Sequence, residues 1–200
     1  MSAHYFDDDP AVGSAPKRVE LIVAGQTLQI DTDRGVFGYG VVDRGTRYLI
    51  DHAPAPPTTG DLLDLGCGSG AIALALATRS PGAHVWAVDV NARARALCAA
   101  NAALNGVTTI TTIDGLDGVD AAVQFDAIWS NPPIRVGKAV LHEMLLTWLP
   151  RLRPGGTATL VVHKHLGSDS LQRWLDTQRY PTTRLSSHAG YRLLRCERAD

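Results

Sequence analysis

The stretch Leu62-Leu63-Asp64-Leu65-Gly66-Cys67-Gly68-Ser69-Gly70-Ala71-Ile72 decides the fold class of this chain. A short apolar run ends in an acidic residue, three glycines follow at alternate positions, and a helix-forming run begins at Ala71. Such a strand–loop–helix junction is typical of an open α/β sheet, in which ligands bind at the carboxyl ends of the strands. The stretch therefore predicts an α/β domain with a ligand site at this loop.

Strands and helices alternate on the carboxyl-terminal side of this junction, as expected for a parallel sheet covered by helices on both faces. We predict strands at 62–65, 84–88, 108–113, 125–129 and 157–162. We predict helices at 71–78, between Asn91 and Gly106, at 139–149 and at 170–178. Asn91 and Gly106 are the predicted cap residues of the second helix, and 154–156 (Pro-Gly-Gly) predicts a turn before the last of these strands. A closing hairpin is predicted at 182–186 and 191–196.

The amino-terminal quarter of the chain has a different pattern. Two β-prone runs at 19–23 and 27–30 flank Ala24-Gly25-Gln26 and predict a hairpin, and 43–51 predicts a short helix. We therefore expect a single domain over residues 1–200, in which 1–58 form an extension with a hairpin and 59–200 form the catalytic core.

Composition limits the class of protein. The chain has 200 residues, of which 45% are hydrophobic, enough for one compact core. Lys+Arg number 19 against 20 Asp+Glu, so any contact with a nucleic acid has to come from a local patch. The three cysteines show neither a disulfide framework nor metal-ligand spacing, and no leader or membrane span is evident. We expect a cytoplasmic protein without a metal or a membrane partner.

The glycine-rich loop admits two kinds of cofactor. Gly66, Gly68 and Ala71 fit a relaxed dinucleotide fingerprint, whereas the tighter glycine spacing and the carboxylate of Asp64 favour the cationic S-adenosyl-L-methionine. An acidic residue at the end of the next strand, Asp89, is placed to meet ribose hydroxyls in either case. The cofactor contacts predicted in this region are Asp64, Gly66, Cys67, Gly68, Gly70, Asp89, Val90, Asp114 and Gly115.

The segment Ser130-Asn131-Pro132-Pro133-Ile134 follows an apolar strand and predicts the catalytic loop. The amine of a base or an amide is a poor nucleophile, so an enzyme has to accept its hydrogens and aim its lone pair. Asn131 Oδ1 and the Pro132 carbonyl are suitable acceptors. The prolines fix the backbone, and we expect neither acceptor to meet a competing local donor. No strong general base is required, because the alkylated nitrogen is already very acidic.

Together these motifs resemble the small-domain class of S-adenosylmethionine-dependent methyltransferases that contains ribosomal RNA small-subunit methyltransferase C. The resemblance also rests on 4–6 with Pro10, 35–37, 42–47 and 130–138. It implies a Rossmann-like class I sheet of seven mostly parallel strands whose last strand is antiparallel. It further implies that Gly45 and Thr46 line the cofactor site, that Asn131 contacts both cofactor and target amine, and that the product is guanine methylated on its exocyclic nitrogen.

The chain departs from that family at two points. Better-known members carry a duplicated amino-terminal domain, whereas this sequence has one catalytic domain and a short extension. Many amine methyltransferases have an aromatic residue after the two prolines, where this chain has Ile134. The predicted catalytic residues are Asn131, Pro132, Pro133 and Ile134, and the predicted contacts with the substrate phosphates are Arg135 and Lys138.

The favoured function is therefore methylation of guanine in ribosomal RNA, with the RNA or a ribosomal subunit as the partner and with monomer and homodimer both open. A protein glutamine or a small-molecule amine is the alternative acceptor, because both present the same planar NH2. An NAD-dependent oxidoreductase would share the glycine loop but would have no need of 131–133. A non-catalytic module that binds cofactor or RNA is the third alternative.

Overall fold

The structure is a computed structural model and describes residues 12–198. The motif at 4–10 and the side chain of Arg135 lie outside the described residues. The strands are β1 (Lys17–Val23), β2 (Gln26–Thr32), β3 (Thr59–Leu65), β4 (Gly82–Val88), β5 (Ile110–Ile113), β6 (Phe125–Ser130), β7 (Leu152–His163), β8 (Thr182–His188) and β9 (Tyr191–Glu197). The helices are α1 (Arg44–His52), α2 (Ala71–Arg79), α3 (Ala92–Leu104), α4 (Lys138–Trp148) and α5 (Ser168–Thr177).

The main sheet has seven strands in the order β5-β4-β3-β6-β7-β9-β8. The pairs among β3, β4, β5, β6 and β7 are parallel, whereas β9 is antiparallel to both β7 and β8. This confirms the expected class I sheet with an antiparallel last strand. The central strand β3 ends in four buried residues because helices cover both of its faces. The carboxyl ends of β3 to β7 therefore meet at one edge of the sheet.

The amino-terminal hairpin is confirmed and docks on the same face as α3. Ala24 and Gly25 both have positive φ, 49° and 80°, as a two-residue turn between twisted strands requires. Asn101 of α3 is completely buried and bonds to both backbone groups of Asp31 at 2.8 Å. Asn105 makes the same pair of bonds to Gln29, at 2.9 and 2.8 Å. Two side-chain amides thus replace the neighbouring strand that β2 lacks at this edge.

The predicted turn at 154–156 is wrong, because these residues lie inside β7. The register against β6 shifts there, since Phe125 pairs with Leu152 but Ala127 pairs with Thr157. Gly156 makes this bulge possible, because a Cβ at that position would lie 2.8 Å from the Phe125 carbonyl oxygen. A bulge and a turn use the same residue types, so local sequence did not distinguish them.

Two apolar clusters fill the space on either side of the sheet. One contains the hairpin, α1 and α2 against β3, β4 and β7, and the other contains α4 and α5 against β6, β7 and β9. We call the face covered by α1 and α2 the α1 face. Alternation along the strands decides which side chains reach it: Trp129 and Val161 belong to the α1-face cluster, and Ile128 and Val162 to the opposite one.

Candidate active site

A cleft opens on the α1 face between the carboxyl ends of β3 and β6. Three parts of the chain form it: the segment between β2 and α1, the glycine-rich loop with the start of α2, and the loop after β6. The lining residues are Phe37, Gly38, Val41, Val42, Asp43, Thr46, Gly66, Cys67, Gly68, Ser69, Ala71, Ile72 and Asn131. The structure thus brings Thr46, the glycine loop and Asn131 to one place, as the sequence predicts.

The glycine-rich loop is held in a conformation that glycine favours. Gly66, Gly68 and Gly70 have φ values of 80°, 53° and 85°. A Cβ at Gly70 would lie 2.6 Å from Cys98 Sγ, so this glycine also lets α2 pack closely on α3. A hydrogen bond with the Cys98 thiol, together with burial, raises the pKa of Cys67 well above the usual thiol value. Cys67 is therefore a neutral wall of the cleft and not a nucleophile.

Asp89 ties the loop to the following strand. Its two carboxylate oxygens accept hydrogen bonds from the Gly68 N–H at 2.9 Å and the Asn91 N–H at 3.0 Å. Burial raises the pKa of Asp89, and these two bonds oppose that rise. Each oxygen keeps a further lone pair, so the side chain can still accept a ribose hydroxyl. The neighbouring Val90 is 52% exposed, and neither Asp89 nor Val90 is among the residues that line the cleft.

Asp64 lies beneath the loop and does not reach the cleft wall. Its side chain is fully buried, Oδ2 accepts from the Ala73 N–H at 2.9 Å, and Oδ1 has no hydrogen-bond partner. Burial raises the pKa of Asp64 to about 8, and the charge of Asp89 adds to the rise. A buried carboxyl with an unpaired oxygen is costly, and a positively charged ligand above it would offset that cost.

Asp114 and Gly115 follow β5, two strands away from β3 on the side of Asp89. They stand at the same edge of the sheet but do not line the cleft, and the Asp114 side chain is exposed. Their expected contact with the cofactor stays a prediction.

The Asn131 side chain is held in one orientation by α1. Its Nδ2 donates to Asp43 Oδ1 at 2.9 Å and to Thr46 Oγ1 at 3.0 Å. Asp43 is the N-cap of α1, and the same Oδ1 accepts the Gly45 N–H at 2.8 Å and the Thr46 N–H at 3.2 Å. Because that oxygen serves only as an acceptor, the NH2 end of the Asn131 amide has to face it. Asn131 Oδ1 is then directed away from α1, and no hydrogen bond to it occurs within residues 12–198.

Asp43 is a candidate functional residue with no role assigned from the sequence. The sequence predicts it as the first residue of the helix 43–51, whereas the structure makes it the N-cap of α1. The bond to Asn131 spans 88 positions in the sequence, so nothing near Asp43 reveals it.

The expectation that the Pro132 carbonyl meets no local donor is wrong. It accepts the Ile134 N–H at 2.8 Å, because Pro133 has φ −75° and ψ 66°, the geometry of an inverse γ-turn. A carbonyl oxygen has two lone pairs, so one acceptor site remains. Ile134 itself packs against the apolar cluster of the opposite face. Lys138 is the exposed first residue of α4, a position at which it can meet a phosphate.

Gly45 is buried but does not line the cleft. A Cβ at this position would lie 2.9 Å from Cε1 of Tyr191 and 3.0 Å from Asp43 Oδ1. The glycine therefore gives room to the Tyr191 ring, whereas the resemblance assigns it to the cofactor site.

The described residues contain neither a grouped metal site nor a membrane-spanning helix. Within residues 12–198 no three His, Cys, Asp or Glu side chains are grouped so that they could hold a metal ion. No helix in that part of the chain is both long enough and apolar enough to cross a membrane.

Comparison with known proteins identifies the family to which the chain belongs. The model of the methyltransferase small domain family matches residues 27–195. The chain is 32% identical over 200 residues to the protein YbxB of Bacillus subtilis (strain 168), covering 99% of this chain and all of that protein. It is 34% identical over 193 residues to ribosomal RNA small subunit methyltransferase C of Ectopseudomonas mendocina (strain ymp), covering 94% of this chain and 57% of that protein.

A solved structure agrees with these matches. The T. thermophilus 16S rRNA N2 G1207 methyltransferase, in complex with AdoMet and guanosine, superimposes with a TM-score of 0.80 at 25% identity. The superposition covers 95% of this chain and 52% of that protein. The chain thus spans about half the length of the ribosomal RNA methyltransferases that it matches.

Proposed function

The chain belongs to the methyltransferase small domain family and is an S-adenosylmethionine-dependent methyltransferase, and we propose that it methylates the exocyclic amine of guanine in ribosomal RNA. The observation that supports this acceptor is the fixed amide of Asn131, which turns a free carbonyl oxygen away from α1. The dehydrogenase alternative is not supported, because the family and the bound cofactor of the solved relative are those of methyl transfer.

The residues of the cleft fit the cofactor. The three left-handed glycines allow close approach to the backbone, Asp89 offers acceptors for ribose hydroxyls, and the unpaired oxygen of Asp64 favours a positive charge above the loop. S-adenosylmethionine supplies an electrophilic methyl group on a cationic sulfur. The chain supplies the position and orientation of the acceptor.

Asn131 Oδ1 and the second lone pair of the Pro132 oxygen are proposed to accept the two N–H groups of a planar NH2. With both hydrogens held, the nitrogen lone pair would be directed out of the plane of the ring. It would take the methyl group of S-adenosylmethionine as the carbon–sulfur bond breaks; a neutral thioether would leave, and the extra proton on the nitrogen would pass to solvent. Asp43 and Thr46 contribute by fixing the acceptors before the reaction, so little reorganisation is needed.

The names of the similar proteins favour guanine in ribosomal RNA over a glutamine side chain as the methyl acceptor. Two of the relatives named above are ribosomal RNA methyltransferases, and the solved structure of one of them is a complex with guanosine. The chain covers only about half the length of each of these two proteins. We propose that residues 1–200 act as one catalytic unit and that Lys138 and Arg135 contact the RNA phosphates.

The test uses purified protein, labelled S-adenosylmethionine and ribosomal subunits that lack the modification. We expect label in RNA, found as guanine methylated on its exocyclic nitrogen after nuclease digestion, and no label with Asn131→Ala. Label that resists nuclease but is removed by protease would replace guanine with a protein glutamine. Equal labelling by Asn131→Ala would refute the role of the fixed amide.

A further inference from the structure

Two aromatic rings lie on the α1 face where β7 ends and β9 begins. His163 ends β7 and Tyr191 begins β9, and the two residues are direct partners in the antiparallel pair. Their ring centroids are 5.0 Å apart with an interplanar angle of 82°, an edge-to-face contact. Both residues are partly exposed. We call them the ring pair.

Tyr191, one member of the ring pair, contacts the turn that orients Asn131. Tyr191 Cε1 and Asp43 Oδ1 both lie within 3.0 Å of the position that a Cβ on Gly45 would occupy. Asp43 Oδ1 in turn binds Asn131 Nδ2 at 2.9 Å. One turn of α1 therefore separates the Tyr191 ring from the acceptor amide.

Strand register places His163 on the same face and the same edge. Ser130 pairs with Leu160, so Asn131 is level with Val161, and His163 lies two residues further along β7. Residues two apart share a face, at a rise of about 7 Å. The glycine-rich loop follows β3, on the other side of β6 from β7. With S-adenosylmethionine bound over that loop, an acceptor in line with its methyl group would lie beyond Asn131, towards β7 and β9.

Hydrogen bonds tie together the chain segments that carry the ring pair. The His165 N–H donates to His163 Nδ1 at 3.4 Å, a long hydrogen bond. The Lys164 N–H donates to the Gly190 carbonyl at 2.7 Å and ties the end of β7 to the turn before β9. Ile134 cannot take this role, since it packs against the cluster on the opposite face.

We propose that Tyr191 and His163 form the stacking site for the guanine ring whose amine is held by Asn131. The inference rests on the proposed function, and it supplies the stacking that an aromatic residue at position 134 would otherwise give. Because the pair lies on elements that carry no cofactor contact, it contributes to acceptor binding and not to cofactor binding.

The test measures guanosine binding, independently of turnover. The protein is saturated with S-adenosylhomocysteine, guanosine is titrated in, and NMR follows the guanine H8 resonance, which shifts upfield when the base stacks on a ring. We expect Tyr191→Leu and His163→Leu each to weaken guanosine binding by roughly 5- to 150-fold, the range for loss of one base–aromatic stack. Tyr191→Phe retains the ring and is expected to bind as the wild type does.

His84→Leu is the matched control. His84 makes a similar edge-to-face contact with Trp86, at 4.8 Å and 70°, but it lies near the amino-terminal start of β4. His163→Leu keeps the test decisive if Tyr191→Leu disturbs α1, because it leaves the contact between Gly45 and Tyr191 in place. In every variant the affinity for S-adenosylhomocysteine should be unchanged.

Two results would overturn the inference. One is guanosine binding by both leucine variants with wild-type affinity and the wild-type H8 shift. The other is absence of guanosine binding by the wild type. Neither bears on Asn131-dependent labelling of ribosomal RNA, so the proposed function can stand when the stacking site fails. Conversely, nuclease-resistant label would refute guanine in RNA whatever guanosine binding shows.

Discussion

Replacing Asp43 by alanine is expected to slow methyl transfer, although Asp43 touches neither the cofactor sulfur nor the acceptor amine. Its Oδ1 holds the NH2 of Asn131 at 2.9 Å and caps α1. In the alanine variant the Thr46 hydroxyl remains, and a hydroxyl can donate as well as accept. Both orientations of the Asn131 amide then find a partner. The rotated amide then directs its NH2 towards the NH2 of the methylated substrate. Both groups are hydrogen-bond donors, so they cannot bond to each other.

The size of the effect follows from the bond that is lost. A hydrogen bond to a charged group contributes about 1.5–3 kcal/mol, and each 1.36 kcal/mol is a tenfold change in rate, so kcat should fall roughly 10- to 150-fold. Asn131→Ala removes the acceptor itself and should cost more, about 100- to 1,000-fold. Loss of the helix cap should lower the free energy of unfolding by about 0.5–2 kcal/mol. Asp43→Asn separates the two effects, since asparagine caps equally well.

A double-mutant cycle measures whether Asp43 acts through Asn131. Single-turnover methyl transfer to ribosomal subunits is compared among wild type, Asp43→Ala, Asn131→Ala and the double variant, with denaturant unfolding used to correct for unfolded protein. If Asp43 serves to orient the amide, Asp43→Ala should cause little further loss once Asn131 is alanine. A loss of the same size in both backgrounds would refute the reasoning, because Asp43 would then act on its own.

Three further predictions concern other parts of the structure. Gly70→Ala should lower the free energy of unfolding by roughly 1–3 kcal/mol. The cause is that φ of Gly70 is 85° and that the added Cβ would lie 2.6 Å from Cys98 Sγ. An unchanged midpoint of urea unfolding would contradict this prediction. Asn101→Ala removes both bonds to Asp31 and should lower the free energy of unfolding by about 1–3 kcal/mol; hydrogen exchange in β2 should accelerate, and unaltered exchange would argue against it. Affinity for S-adenosylmethionine should rise from pH 6 to pH 9, because a pKa of about 8 leaves Asp64 neutral at the lower pH and anionic at the higher, where it attracts a cation. Calorimetry should show a flat profile for Asp64→Asn, and a flat profile for the wild type would count against the idea.

Much of the fold could be predicted because its signals are local. Asn91 and Gly106 mark the ends of α3 through side-chain capping and a left-handed backbone, and both stand in the structure where helix-end chemistry requires them. Alternation of short apolar runs with helical segments sets the parallel sheet. The bulge in β7 could not be predicted, since its Pro154-Gly155-Gly156 has turn composition and only the approach of the Phe125 carbonyl shows otherwise.

The candidate active site also contains residues that the sequence predicts and residues that it does not. Contiguous motifs identify the glycine loop and Asn131, and the structure brings both to one cleft. Asp43 and Tyr191 lie far along the chain from Asn131, and their local sequences indicate the start of a helix and a strand residue. Contacts of this range depend on how α1 crosses the sheet, which no single segment encodes. Gly45 is an example. A glycine in a motif can make room for a ligand, but here it makes room for the ring of Tyr191.

The first turn of α1 lies between the proposed cofactor site and the proposed stacking site. The first turn of α1 supplies Asp43 and Thr46 to the amide of Asn131, and it contacts Tyr191 through Gly45. Thr46 and Asp43 line the cofactor cleft, whereas Tyr191 stands on the side of β7 and β9. A shift of this turn on either side would move the Asn131 amide, whose NH2 has no partner apart from these two residues in the described part of the chain. The orientation of the acceptor oxygen is therefore set by the same turn that both ligands approach.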